Sequence, residues 1–297
     1  MEGTRMQHSS LQRSPAEIGA LALKALRTEA LLTPKPGLVD RNNNGAHADM
    51  DLALLLHSAE VLHPFFVELA EVGCTHRLEF PHKIFAASRG IGIRAEAEML
   101  QATRGINTHK GALFGLGLLC SAAGVLGEET EVESLCAYVA EMTKGITARE
   151  GVEKQWTRLP ESVRLQMSGA RGEAESGFYH ARKIGIPVYF KALQWGLSQE
   201  EAALRALLQL MSCLMDTNLM RRGGQAAVLY VQRRAEEVLH HFSISEVENF
   251  DREMIQANLS PGGSADCLAI TLFLSAFVRG RFSPKISFTE TLRSSKF

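Results

Sequence analysis

Between positions 35 and 51 the chain gathers one lysine, one arginine, one histidine, three aspartates and three asparagines around two glycines. Carboxylates beside cations suit a metal-bound phosphate: hard oxygens hold Mg²⁺ and the cations hold phosphate oxygens. Lys35, Arg41, Asn43 and His47 are candidate phosphate contacts. Asp40, Asp49 and Asp51 are candidate metal ligands or bases, and Glu29 lies one helical turn ahead of the run. The same stretch also reads as an Asn/Gly turn capped by Asp49, with surface charges.

Three further segments repeat the theme. Residues 105–111 place Asn107, His109, Lys110 and Gly111 at an expected helix start, where free amides and a partial positive charge favour phosphate. Residues 215–224 supply Asp216, Asn218, paired arginines including Arg222, and Gly223; guanidinium forks match phosphate oxygens better than ammonium groups. Residues 259–266 bring Gly262, Gly263 and Ser264, whose amides could wrap an anion, and Asp266, which could reach a metal. With Asp49, Asp51 and Asp216, Asp266 completes the candidate metal set. A less specific stretch, 169–177, is again glycine-rich, with Arg171, Glu173 and Glu175. Each segment alone also reads as a capped helix end. Walker A, dinucleotide-fingerprint, HExxH and serine-elbow patterns are absent.

These segments lie between helical patterns. Ser14 and Glu17 form a capping box with Pro15 at the first helical position. The period of apolar residues predicts helices over about 49–72 (bent at His63-Pro64), 81–103, 107–127, 132–144, 173–183, 188–195, 198–215, 224–239, 246–259 and 264–278. Only 159–167 and 285–288 come near a strand pattern. The fold class expected is therefore an all-α bundle of about ten helices. One domain should span 14–280, with flexible ends at 1–13 and 281–297.

Composition narrows the class. With 45% hydrophobic and 22% charged residues and a formal net charge of −1, the chain reads as a soluble globular protein, not one that coats nucleic acid or membrane. Its longest apolar stretches look too short for a membrane span. Five dispersed cysteines without a CxxC pair read as reduced thiols, and 1–13 lacks an apolar signal core, so a cytoplasmic location is expected.

The runs TPKPGLVDRNNNGAHADMD, GINTHKGALFGLG, MDTNLMRRGG and SPGGSADCLA resemble, in order, the signature stretches of the triphosphoribosyl-dephospho-CoA synthase family. Arg171-Gly172-Glu173 also fits. Asn42-Asn43-Asn44 carries an asparagine where an aromatic is common in that family. The resemblance implies that ATP and 3′-dephospho-CoA are the substrates, with adenine released. The product, 2′-(5″-triphosphoribosyl)-3′-dephospho-CoA, would pass to a holo-acyl-carrier-protein synthase step for citrate lyase or malonate decarboxylase. On this reading Asp49→Asn abolishes adenine release. A Mg²⁺-dependent ADP-ribosyl hydrolase is the alternative enzyme, and a nucleotide-sensing scaffold the non-enzymatic one.

Overall fold

The computed structural model describes residues 13–127, 130–150, 167 and 169–278. Among them the chain is helical, without strands. The first helix, α1 (Pro15–Leu31), starts at the predicted capping box, with Glu17 reaching back to the Ser14 amide. Next, α2 (Leu52–Thr75) begins three residues later than the periodicity suggests, because Asp51 accepts the Leu54 amide at 2.8 Å and sets the start. Pro64 lies inside α2 without ending it. At 24 residues α2 is also long and apolar enough to cross a membrane, contrary to the sequence expectation, but it packs against α1, α3 and α4.

The chain continues through α3 (Pro81–Ala102), α4 (Lys110–Leu126), α5 (Val132–Thr143), α6 (Ile146–Glu150) and α7 (Gly169–Glu175). A π-helical turn (Ala181–Gly185) leads into α8 (Ile186–Gln194), followed by α9 (Gln199–Cys213), α10 (Thr217–His240), α11 (Ile244–Gln256) and α12 (Gly262–Ser275). The helix expected over 173–183 is broken at Gly177 and Phe178, both with positive φ. The 215–224 segment, read as a connector, is instead the first turns of α10, kinked at Gly224 (φ 68°, ψ −168°). Likewise α12 starts two residues early, which puts Gly262 and Gly263 into its first turn. The strand-like stretches 159–167 and 285–288 lie outside the described residues except for Met167, as do the chain ends 1–12 and 279–297.

Among the described residues two large apolar clusters form most of the interior, beside a small third one of Ala30, Val39 and Leu55. One is built largely from α1 to α5, the other from α8 to α11, and α12 contributes to both: Ile270, Phe273 and Leu274 to the first, Cys267 and Leu268 to the second. Its N-terminus therefore sits where the clusters meet. In the first cluster α4 is buried on nearly all sides, as expected of a helix apolar all round. Its crossing with α2 is close because a Cβ on Gly124 would lie 2.1 Å from the Ala70 carbonyl oxygen, and one on Gly73 would lie 2.0 Å from that of Ser121. Gly124→Ala should therefore cost about 1–3 kcal/mol or more, as overpacking at a rigid backbone contact does. The midpoint of urea unfolding measures this, and an unchanged midpoint would contradict the crossing.

Candidate active site

Asp216 is the N-cap of α10 and is almost fully buried. Its Oδ1 accepts the amides of Asn218 (2.8 Å) and Leu219 (3.4 Å), while Oδ2 accepts the Ser264 amide (2.8 Å) and hydroxyl (3.1 Å). One carboxylate thus ties the first turns of α10 and α12 together. Burial pushes its proton affinity up, and the hydrogen bonds from Ser264, Asn218 and Leu219 pull it back down. Gly262 and Gly263 allow the approach: a Cβ on the former would meet Asn218 Nδ2 at 2.7 Å, and one on the latter the Asp216 carboxylate at 3.1 Å.

Asp266, half a turn further along α12, does the same for a third helix. Its Oδ1 accepts the Ala112 amide in the first turn of α4 (3.0 Å), and Oδ2 accepts no hydrogen bond among the described residues. Burial raises its pKa well above the usual carboxylate range, and the negative charges of Asp216 and Glu29 raise it further. Gly111 is required beside it, since a Cβ there would lie 2.0 Å from Oδ2. The N-cap residues His109 and Pro261 give their helices no side-chain cap; Asn107, Asp266 and Asp216 take the Lys110, Ala112 and Ser264 amides, and the Gly111, Gly262 and Gly263 amides have no hydrogen bond among the described residues, beside positive dipole ends.

Facing these helix starts, Lys35 is 1% exposed and bonds the Glu29 carboxylate (2.7 Å) and backbone oxygen (2.8 Å). That leaves one of its three donors for a ligand. Buried His109 precedes α4; its Nδ1 meets Ser58 Oγ at 3.0 Å, and its Nε2 has no partner. Burial, and secondarily the Lys35 charge, hold the imidazole down at about 4, so it is neutral near pH 7. Glu29, Lys35, His47, Asn107, His109, Lys110, Gly111, Asp216, Asn218, Arg222, Gly262, Gly263 and Asp266 all line one cavity of about 880 Å³, towards the top of the range for ligand pockets of roughly 300–1,000 Å³.

Several predicted residues have other work. Asp40 is buried but accepts the amides of Lys35, Asn42 and Asn43, bracing its own loop. Asn43 bonds Asp251, and exposed Arg41 pairs with Glu200. Asp51 caps α2; Asp49, with 60% of its side chain exposed, lies 3.4 Å from His47. These five, with Gly223 and buried Ser264, do not line the cavity. Arg222 does, but spends one terminal nitrogen on the Ala46 carbonyl and on the carbonyl and amide oxygen of Asn258. His47, whose proton affinity is lowered by burial and then by Arg222, meets Ser260 Oγ at 2.8 Å. Asp49, Asp51, Asp216 and Asp266 do not assemble as one metal centre, and no group of three or more such side chains could hold a metal among the described residues.

The family model described as CitG, ATP:dephospho-CoA triphosphoribosyl transferase, matches residues 15–282. The chain belongs to that transferase family. A 2-(5″-triphosphoribosyl)-3′-dephosphocoenzyme-A synthase from Klebsiella pneumoniae is 41% identical over 91% of this chain and 94% of its own. The enzyme of that name from Escherichia fergusonii is 40% identical over 89% and 91%. A Salmonella gallinarum relative reaches 42% over 94% and 96%.

In this transferase the cavity also has polar walls, of which the sequence reading marked Lys110 and, less specifically, Arg171 and Glu173. Glu150 of α6 bonds Arg89 of α3 (2.5 Å) and Arg171 of α7 (2.8 Å), and Lys110 pairs with Glu96 (2.5 Å). Glu173 and His180 form a second pair. The glycine-rich 169–177 stretch was the available signal for Arg171 and Glu173. Arg89, Glu150 and His180 sit in ordinary helical sequence, and only the packing of α3, α6 and α7 brings them in.

His109 gives a pH signature. Between its ordinary value of 6.5 and about 4, the unfolded chain binds a proton that the folded chain refuses. Stability should therefore be lost as pH falls through that window, by up to about 3 kcal/mol, and be fully present above it. In urea unfolding, His109→Gln should show a flatter pH dependence there; an unchanged slope would contradict the burial.

Proposed function

We infer that triphosphoribosyl transfer runs where the starts of α4, α10 and α12 converge on Glu29, Lys35 and Asp266. The transferase forms 2′-(5″-triphosphoribosyl)-3′-dephospho-CoA and adenine from ATP and dephospho-CoA. The convergence is the observation that carries the location. ATP loses its base and keeps its triphosphate, so the site must grip the phosphates without exposing phosphorus to attack. Helix starts do this with fixed amides: donors at α4 and α12 meet phosphate oxygens with little reorganisation. Lys35 and Lys110 add full charge. At the far wall, Glu150 orients Arg89 and Arg171, whose remaining N–H groups suit the diphosphate of dephospho-CoA.

Breaking the bond between ribose and adenine builds positive charge on the sugar, as in glycoside hydrolysis. Glu29, Asp216 and Asp266 line the cavity with Lys35, the one buried cation among the described residues, and this excess of carboxyl groups favours that charge. The same excess fits Mg²⁺. Mg²⁺ keeps several waters and takes one or two carboxylates besides phosphate oxygens, and Asp266 has the open oxygen. Asp216, with four acceptor positions filled, does not. When bound, Mg²⁺ neutralises and orients the triphosphate. Asn107, which caps the Lys110 amide at 3.1 Å, and neutral His109 complete the wall. In a later holo-acyl-carrier-protein synthase step, attack on the first phosphorus of that triphosphate would release diphosphate and leave the group attached through the remaining phosphate.

The test is chromatography of adenine from ATP and Mg²⁺, with and without dephospho-CoA. Adenine should appear only with the acceptor; release to water would favour a hydrolase. Asp266→Asn should lower turnover about 100-fold or more, while Asp49→Asn should stay within about threefold of wild type. The reverse order would return the site to the 35–51 loop.

A further inference from the structure

The carboxylates of the cluster leave one role unfilled. Attack by the 2′-hydroxyl requires a base, yet Asp216 is saturated, Glu29 is tied to Lys35, and Asp266 faces the triphosphate. Glu173 lines the same cavity as Asp216, Asp266 and Cys267 and is another candidate to act on the hydroxyl. Burial, and then the charges of Glu173, Asp266 and Asp216, push the Cys267 thiol well above its usual range.

The backbone here is unusual. Gly177 (φ 66°) and Phe178 (φ 55°) are both left-handed, and Phe178 is fully buried. A non-glycine residue held there costs about 1–3 kcal/mol, and such strain clusters at functional sites. His180 then opens the π-helical turn, a feature frequent at functional sites. The turn folds His180 back onto Glu173, which is 9% exposed. Glu173 Oε1 meets His180 Nδ1 at 2.5 Å, and Oε2 accepts the His180 amide at 3.3 Å. The Tyr179 ring packs edge-on against the imidazole, with centroids 5.5 Å apart. Both members of the pair line the cavity, and His180 Nε2 has no hydrogen bond among the described residues. A carboxylate that accepts the Nδ1 proton leaves the lone pair on Nε2, the arrangement of a histidine general base and the group that orients it.

We propose that His180 is the general base that takes the 2′-hydroxyl proton of dephospho-CoA, with Glu173 as its positioning residue. The proposal rests on the transferase reading above. The hydroxyl proton moves to Nε2 as the oxygen forms its bond to ribose C1″. The C1″–N bond breaks with its electron pair on adenine, which takes one proton from solvent, and Nε2 returns the hydroxyl proton to solvent. Atoms and charge balance without a further reactant.

Steady-state kinetics of adenine release, with circular dichroism to confirm folding, test this. Wild type should release adenine only with dephospho-CoA. His180→Gln should lower kcat about 100-fold or more, with KM for both substrates within about threefold, and added imidazole should restore part of the activity of His180→Gly. Glu173→Gln should lower kcat about tenfold or more by the same pattern, and decides alone if the His180 variants do not fold. A folded variant of either residue with near-wild-type kcat, or a loss carried by KM, would overturn the proposal. No adenine from wild type would instead overturn the transferase reading.

Discussion

The carboxylate of Asp216 holds the site together. It is buried, which is tolerable for a carboxyl group only because amides from α10 and the amide and hydroxyl of Ser264 fill its acceptor positions. Those bonds fix where two helices begin. Since α12 belongs to both apolar clusters, the same clamp fixes how the halves of the cavity face each other. Gly262 and Gly263 are the steric condition for it, and Asp266, two residues after Ser264, extends the arrangement to α4.

From that clamp the electrostatics of the cavity follow. The starts of α4 and α12 line it with the Gly111, Gly262 and Gly263 amides, which suits anions, while Glu29, Asp216 and Asp266 line it together with Lys35, the one buried lysine among the described residues, which suits cations. Neither half is comfortable alone: burial, and then the like charges of Asp216 and Glu29, have already raised the Asp266 pKa. A triphosphate carrying a divalent cation, joined to a sugar that becomes positive, satisfies both. On the proposed reading, the sugar would be the group transferred because this cavity favours positive charge at the ribose.

Much of this was legible in the sequence. The capping box at Ser14 and the apolar periods located most helices, and four glycine-bearing motifs identified the family. Within the motifs, residue type did not separate bracing from binding. Asp40, Asp51 and Asp216 are all aspartates beside amides and all cap backbone, but only Asp216 does so at the cavity. The 35–51 loop looked richest because it is densest in charge, although much of that charge stabilises the loop. Glu173 and His180 were harder to find because their pairing depends on a left-handed Phe178 and a π turn that periodicity reads as continuous helix. Glu150 reaches Arg89 across 61 residues, which no local pattern records.

The most direct test of the account is a crystal structure with ATP, Mg²⁺ and dephospho-CoA bound to the inactive Asp266→Asn protein. The account predicts triphosphate density against the first turns of α4 and α12, with ribose C1″ between residue 266 and His180. Triphosphate density on the 40–51 loop, beside Asp49 and Asp51, would contradict it.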